Sequence, residues 1–307
     1  MKNVILSDIH GNVDALLAVI REIGEKENHI DSLLIVGDIV GYGASPNECC
    51  DIVRYLTYGR KKVSLEKINK ILSQPCFDSL PRDNLLNALV LLERKGIAIG
   101  GNHDREASGE ASLTTEMNPV AMAAIDWTKG ILTNENLKFL RRLPLRITFR
   151  KEKFEIVHST PSYPQGYEYA RNASVLKYTT LWSRVTFGGH THRPAAYIYK
   201  KELSNVNASV LIPADNYDMR LMLIERQSTN KIETFNIDAT KEWKYYVNVG
   251  SVGQPRDGNP QACYVVFDST SKHLYFRRVP YNTEAASKKI TEAKLSSELA
   301  ERILKGV

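Results

Sequence analysis

Residues 4–12 read Val4-Ile5-Leu6-Ser7-Asp8-Ile9-His10-Gly11-Asn12, a short aliphatic run that passes directly into two side chains able to bind a metal, Asp8 and His10. The arrangement recurs downstream. Leu33-Leu34-Ile35-Val36 leads to Asp38, Ile97-Ala98-Ile99 to Asn102 and His103, Phe154-Glu155-Ile156-Val157 to His158, and Val185-Thr186-Phe187 to His190 and His192. Short apolar, β-branched runs read as buried strands, and ligands of open α/β sheets lie beyond the carboxyl ends of the strands. One sheet would therefore deliver all of these groups to one edge. Of the 7 histidines only His29 and His273 fall outside these fragments, which makes chance clustering a poor explanation.

The fragments Ser7-Asp8-Ile9-His10-Gly11-Asn12, Gly37-Asp38, Gly100-Gly101-Asn102-His103-Asp104, Val157-His158-Ser159 and Gly188-Gly189-His190-Thr191-His192 resemble, in this order, those of the calcineurin-like metallophosphoesterases. The resemblance runs from residue 3 to about 193. Asn248-Val249-Gly250-Ser251-Val252-Gly253-Gln254-Pro255-Arg256 is similar to the segment that follows the last motif in compact prokaryotic members of the phosphodiesterase type. The implied fold is a four-layer α-β-β-α sandwich, two mixed sheets flanked by helices. The implied site is dinuclear: one divalent cation on Asp8, His10, Asp38 and His192, a second on Asp38, Asn102, His158 and His190, with Asp38 as the bridge. His103 resembles the histidine that hydrogen-bonds a phosphoryl oxygen at the metal edge and protonates the leaving group, and Asp104 would orient its imidazole. Asn12 and Arg256 are candidate substrate contacts, Arg256 being equally readable as a solvated loop charge.

The chemistry requires such a set. A divalent metal lowers the pKa of bound water to about 7, and two metals about 3.5–4 Å apart share a hydroxide and clamp the phosphoryl oxygens. Imidazole, carboxylate and amide without thiolate suit manganese first, with iron, cobalt, nickel or zinc as alternatives, in an open site. Two dications against Asp8, Asp38 and one hydroxide leave about one positive unit, which favours an anionic phosphoryl group. Blander readings exist for single residues: Asp8, Asp38 and Asp104 as helix N-caps, Asn102 as a turn residue. A relative that keeps the fold as a binding scaffold without catalysis is the alternative for the whole chain.

The glycines have their own expected work. Gly37, Gly101 and Gly189 stand where a strand must turn sharply and let the backbone approach the metals. After Gly11 and Asn12 a helix is predicted, with Ala15, Leu16, Val19, Ile20 and Ile23 on one face and its amino end turned towards phosphate.

At 307 residues a core is assured, and candidate ligands spread from residue 8 to 192 must close on one site, so the expectation is a single domain over 1–307. It would carry a helical insertion at about 60–95, a β insertion at about 195–245 and a helical tail at about 283–305. The insertion at 60–95 shows Leu65, Ile68, Ile71, Leu72, Leu85, Leu86 and Leu89 at helical spacing, interrupted by Pro75 and Pro81, and reads as a packed crossover sooner than as a flap. Two helices are expected between Asn118 and Leu140. Alternating stretches such as Ala196-Tyr197-Ile198-Tyr199 and Arg220-Leu221-Met222-Leu223-Ile224-Glu225 read as antiparallel strands around a loop at 204–218. Strands near 246–250, 263–267 and 273–279 would complete a second sheet. The tail offers Ile290, Leu295, Leu299 and Ile303 for docking or for dimerisation, with Gly306 past its end.

The net charge is +6, but Arg60-Lys61-Lys62, Arg141-Arg142 and Arg150-Lys151 are dispersed and interleaved with acids. A nucleic-acid surface would show a basic stripe with stacking aromatics, so nucleic acid is not the favoured partner. A small phosphorylated substrate is, a nucleotide among the candidates, with a homo-oligomer left open. Cys49, Cys50, Cys76 and Cys263 have no zinc or disulfide spacing, and no apolar stretch approaches membrane-spanning length, which points to a cytoplasmic protein without membrane contact.

Substrate class turns on the residues after Asp38. Phosphatase-type members carry an arginine in a G-D-x-x-D-R-G pattern, whereas this chain has Gly41-Tyr42-Gly43 there. A phosphomonoester dianion loses more from a missing bidentate partner than a diester monoanion does. The expected activity is a phosphodiesterase acting through a metal-bridging hydroxide, with dinucleoside polyphosphate (diadenosine tetraphosphate) hydrolysis or phosphomonoesterase activity as alternatives.

Overall fold

The structure is a computed structural model that describes residues 1–73, 82–111, 117–170, 183–201, 209–211, 233–236, 243–271 and 273–307. Its strands are β1 (Lys2–Leu6), β2 (Ser32–Val36), β3 (Gly96–Ile99), β4 (Arg146–Phe149), β5 (Phe154–Val157), β6 (Val185–Gly188), β7 (Ala195–Lys201), β8 (Ser209–Leu211), β9 (Glu233–Asn236), β10 (Trp243–Asn248), β11 (Ala262–Asp268) and β12 (His273–Val279). Its helices are α1 (Val13–Lys26), α2 (Pro46–Tyr58), α3 (Leu65–Leu72), α4 (Arg82–Leu91), α5 (Asn102–Ser108), α6 (Pro119–Ile131), α7 (Asn134–Arg141), α8 (Thr283–Glu292) and α9 (Ser297–Lys305).

Two mixed six-stranded sheets, ordered β3-β2-β1-β11-β12-β9 and β4-β5-β6-β10-β7-β8, pack face to face and are flanked by helices. The unbroken apolar runs of β1 and β2 follow from burial on both faces. Val4, Leu6, Leu33 and Ile35 enter the core shared with the helices, while Ile5, Leu34 and Val36 enter the core between the sheets beside Phe154, Phe187, Val247 and Phe267. Each such side chain, fully buried, contributes about 1.5–3 kcal/mol.

β1, β2 and β3 run parallel, joined by crossovers through α1 and through α2 to α4. α1 begins at Asn12, whose Oδ1 accepts from the Ala15 amide at 3.1 Å, and buries Leu16, Val19, Ile20 and Ile23. Gly24 lets α4 lie flush on α1, since a Cβ there would stand 2.5 Å from the Cβ of Ala88. The region between the second and third motifs therefore packs as α3 on α2 and α4 on α1. Pro75 and Pro81 lie outside the described residues.

One expectation changes. β11 and β12 do not complete the second sheet: β11 pairs antiparallel with β1, Ile5 opposite Val265, and extends the first. Only β10 joins the second, parallel to β6 and antiparallel to β7. The helical tail consists of two helices, α8 and α9. Lys294 takes a left-handed φ of 58° and Ser296 caps α9 by accepting from the Glu298 amide. Ala286, Ile290, Leu299 and Ile303 pack with Tyr42, Ala121 and Ala124 of the same chain, and Lys289 pairs with Asp14 at 2.7 Å. The strand predicted at 220–225 and most of the 204–218 loop lie outside the described residues. Among the described residues no helix is long and apolar enough to cross a membrane.

Candidate active site

The expectation of one sheet edge is corrected here: the candidate ligands come from both sheets. Asp8, His10, Asp38 and Asn102 follow β1, β2 and β3 of the first, whereas His158, His190 and His192 follow β5 and β6 of the second. The Val36 carbonyl ties the edges together, accepting from Ser7 Oγ at 3.0 Å and from His158 Nδ1 at 2.8 Å.

Asp8, His10, Asp38, His190 and His192 all have left-handed backbones, with φ between 50° and 68°. For a residue bearing a Cβ this costs about 1–2 kcal/mol each, and such strain persists only where the surroundings impose it. Here the loops brace one another: the amide of Asp8 donates to the Gly37 carbonyl and that of His10 to the Asp38 carbonyl at 2.9 Å. Gly37 has φ of +86°, the conformational role expected of it. Gly101 does not need φ, which is −98°; a Cβ there would run into the Asp38 carboxylate.

The ligand atoms form three buried groups, Asp8/His10/His192, His10/Asp38/His103 and Asp38/His158/His190, each lying within 4.8 Å of one another. Asp38 belongs to two of them. Its Oδ2 lies 3.2 Å from His158 Nε2 and 3.6 Å from His10 Nε2, while its Oδ1 accepts from the His103 amide at 2.9 Å. Asn102 Oδ1 is 3.1 Å from His158 Nε2. Each of the four candidate-ligand imidazoles has one nitrogen committed to a backbone carbonyl, which fixes the ring and aims the other inward. His10 uses Val40, His158 uses Val36, His192 uses Gln254 and His190 uses Tyr167, at 3.1, 2.8, 2.6 and 2.7 Å.

Burial, together with His103 and His158 for His10 and with Arg256 for His192, drives both imidazoles well below the ordinary histidine range. Burial and the neighbouring His158 bring His190 down to about 3. These three are therefore neutral at pH 7, with lone pairs available. Burial also opposes charge on His158, but Asp38 and Asp8 outweigh it and raise this group to about 10. Burial opposes charge on Asp38 too, and His158, His103 and His10 together carry it below the usual carboxylate range. Asp8 is raised to about 7 by burial, with Asp38 adding to it. Neutral imidazoles, an amide oxygen and two carboxylates, one of them shared, fit a pair of divalent cations.

His103 is buried with its Nδ1 unpartnered among the described residues, and burial lowers it to about 4. Asp104 does not orient it. Both Asp104 oxygens are taken by backbone amides, Oδ1 by Ile39 and Val40 at 2.9 and 3.1 Å and Oδ2 by Gly101 at 3.0 Å. Asp104 thus closes the first turn of α5 and staples it to the Asp38 loop. Asn12 is likewise corrected from substrate contact to helix cap: its Nδ2 donates to the Gly253 carbonyl and the Tyr281 hydroxyl. That end of α1 already carries Asp14, which leaves it poorly suited to an anion. Arg256 lies at the site, its guanidinium 5.4 Å from the centre of the Tyr42 ring and its Nη2 on Gln254 Oε1 at 2.8 Å.

Sequence reasoning missed Tyr167 and Tyr169 and gave Tyr42 no contact of its own. Tyr42, read as standing where phosphatase-type members carry an arginine, sits with its ring 4.5 Å from both His10 and His103. Tyr167 and Tyr169 flank His190, the Tyr169 ring stacked on it at 4.1 Å and 18°. The Gly-Tyr-Gly placement after Asp38 was the available signal for Tyr42; nothing in the pattern marked the other two.

The calcineurin-like phosphoesterase family matches residues 1–194, ending just past His192. An uncharacterized protein of Methanocaldococcus jannaschii is 32% identical over 307 residues, covering 98% of this chain and 97% of its own length. A metallophosphoesterase from Sphaerobacter thermophilus superposes with a TM-score of 0.68 at 28% identity, over 100% of this chain and 99% of that one. A hypothetical protein from Pyrococcus horikoshii OT3 shares the fold with a TM-score of 0.63 at 17% identity, over 100% and 98%. With the family match spanning all five motifs and a relative alike along nearly its whole length, the chain belongs to the calcineurin-like phosphoesterase family.

Proposed function

We propose that this protein is a metal-dependent phosphodiesterase. The carrying observation is Asp38, whose one oxygen faces His158 and His10 at 3.2 and 3.6 Å and so stands between two sets of imidazoles. Asp8, His10, Asp38 and His192 would hold one divalent cation and Asp38, Asn102, His158 and His190 another, manganese first and iron, cobalt, nickel or zinc as alternatives. Cations so held supply an activated water and charge against the phosphoryl oxygens.

The chain's own groups do the rest. His103 is neutral at pH 7, so its imidazole N–H serves as a hydrogen-bond donor to a phosphoryl oxygen; delivering a proton to the leaving group needs the substrate's negative charge to raise it from about 4. Arg256 adds one cation beside the site. Tyr42 fills the place where a phosphatase-type chain would bring its arginine, and a single guanidinium suits a diester monoanion better than a monoester dianion. The buried free thiols of Cys49, Cys50 and Cys263 suit a reducing compartment, and the cytoplasm is the proposed location.

Purified protein with manganese is to be assayed against bis-p-nitrophenyl phosphate, p-nitrophenyl phosphate and diadenosine tetraphosphate. The diester should be cleaved with the highest kcat/KM. A clear monoester preference overturns the proposal, and metal binding without cleavage of any of the three favours a scaffold.

A further inference from the structure

Beside the candidate ligands opens a cleft of about 190 Å³ whose floor includes Asn102, His103 and His190 and whose walls include Tyr42, Tyr167 and Tyr169. Met117 completes an apolar side, and no lysine, arginine or carboxylate lines it among the described residues. Asn118 adds one amide, and such a wall offers no charge to pair with a second phosphate or a charged peptide. It suits a planar, weakly polar ring.

The geometry points to a subsite for the nucleobase or other aromatic group of a phosphodiester, an assignment that rests on the phosphodiesterase reading and names its substrate class. Tyr167 has a left-handed φ of 48°, which turns its carbonyl onto His190 Nε2. Two residues on, the chain lays the Tyr169 ring on the His190 imidazole at 4.1 Å and 18°. One short turn thus fixes a candidate metal ligand and sets an aromatic platform, 40% exposed, against it. A ring of the substrate meets that platform when its phosphate sits over His103 and His190. Stacking on aromatic side chains tolerates any base, because every base has a π-face. The volume is below the ~300–1,000 Å³ of sites that enclose a drug-sized ligand, so the cleft takes one ring system and not both ends of a dinucleotide.

Calorimetry on the manganese-loaded protein, with metal content checked for each variant, tests this by comparing thymidine 5′-monophosphate with methyl phosphate. The nucleotide should bind at least roughly tenfold more tightly. Tyr169→Phe should keep that ratio and Tyr169→Ala should abolish it, with methyl phosphate bound alike by all three proteins. Equal binding of the two phosphates by the unaltered protein overturns the assignment, as does a Tyr169→Ala loss shared by both. Turnover of the p-nitrophenyl ester of thymidine 5′-monophosphate is read separately. Absence of turnover with the ratio intact sinks the phosphodiesterase reading and supports the subsite; turnover without the ratio does the reverse.

Discussion

The Nε2 atoms of His10 and His192 face each other at 3.0 Å across 182 residues of chain, and each ring's Nδ1 is already held by a backbone carbonyl. With burial keeping both neutral, two lone pairs converge beside Asp8, 3.4 Å from His192 and 3.8 Å from His10. Only a shared proton or a cation relieves that arrangement.

Metal binding should therefore be coupled to proton release. In protein stripped by chelation His158, raised to about 10, holds a proton at pH 7, and Asp8, raised to about 7, holds about half of one. Both must go when a cation binds, so affinity for manganese should rise about tenfold per pH unit for each proton displaced. A raised basic group stabilises the fold below its unfolded value near 6.5 and loses that contribution as pH climbs through 10, so above pH 7.5, where the lowered histidines are neutral folded or unfolded, the stripped protein should melt lower at pH 9 than at pH 7.5. Calorimetry in buffers of different ionisation enthalpy counts the protons; pH-independent affinity contradicts the coupling.

His103→Ala should reduce kcat by roughly 10² or more on the diester, the usual range for a lost general acid or oxygen donor. Elemental analysis should find the metal unchanged, because neither proposed ligand set uses the His103 ring and its backbone amide still holds Asp38 Oδ1 after the change. Unaltered kcat removes His103 from the mechanism.

Arg256→Ala should raise KM by about 10–100-fold, the worth of one charge-assisted hydrogen bond, with a smaller effect on kcat. Its backbone contacts, to His192 and Arg193, survive the change. Steady-state kinetics showing KM untouched would return Arg256 to the status of a loop charge.

Asp104→Ala leaves the buried amides of Ile39, Val40 and Gly101 without their acceptor and should destabilise the protein by about 3 kcal/mol or more. Asp104→Asn keeps one accepting oxygen and should cost less. Thermal unfolding of the two variants checks the order, and a null effect of the alanine would show that water replaces the carboxylate.

Ile303→Ala should cost about 2–5 kcal/mol, since the residue is 2% exposed in the cluster that α8 and α9 form with Tyr42. Because that cluster backs the Gly41-Tyr42-Gly43 loop, kcat/KM should fall beyond what unfolding explains at 25 °C. An unaltered kcat/KM would separate the tail from the site.

Local chemistry carried the sequence reading far. Strand ends were visible because β1 and β2 are buried on both faces and so appear as unbroken aliphatic runs, each followed within two residues by a polar side chain that could not continue them. Asp104 and Asn12 were misassigned because an oxygen's partner is not written in the sequence: the same side chain can meet an imidazole, a phosphate or three amides.

What the sequence by itself determined is the family motifs, the existence of strands β1, β2 and β3 and the identity of the candidate ligand residues, since each is legible in a pattern of a few neighbouring residues. What only the tertiary structure decided is that the ligands rise from two sheets, that β11 enters the first sheet beside β1, and that Tyr42, Tyr167 and Tyr169 wall the cleft. Sheet membership and ring placement depend on packing between segments up to hundreds of residues apart. Period and propensity, which decay within a few residues, carry no record of them.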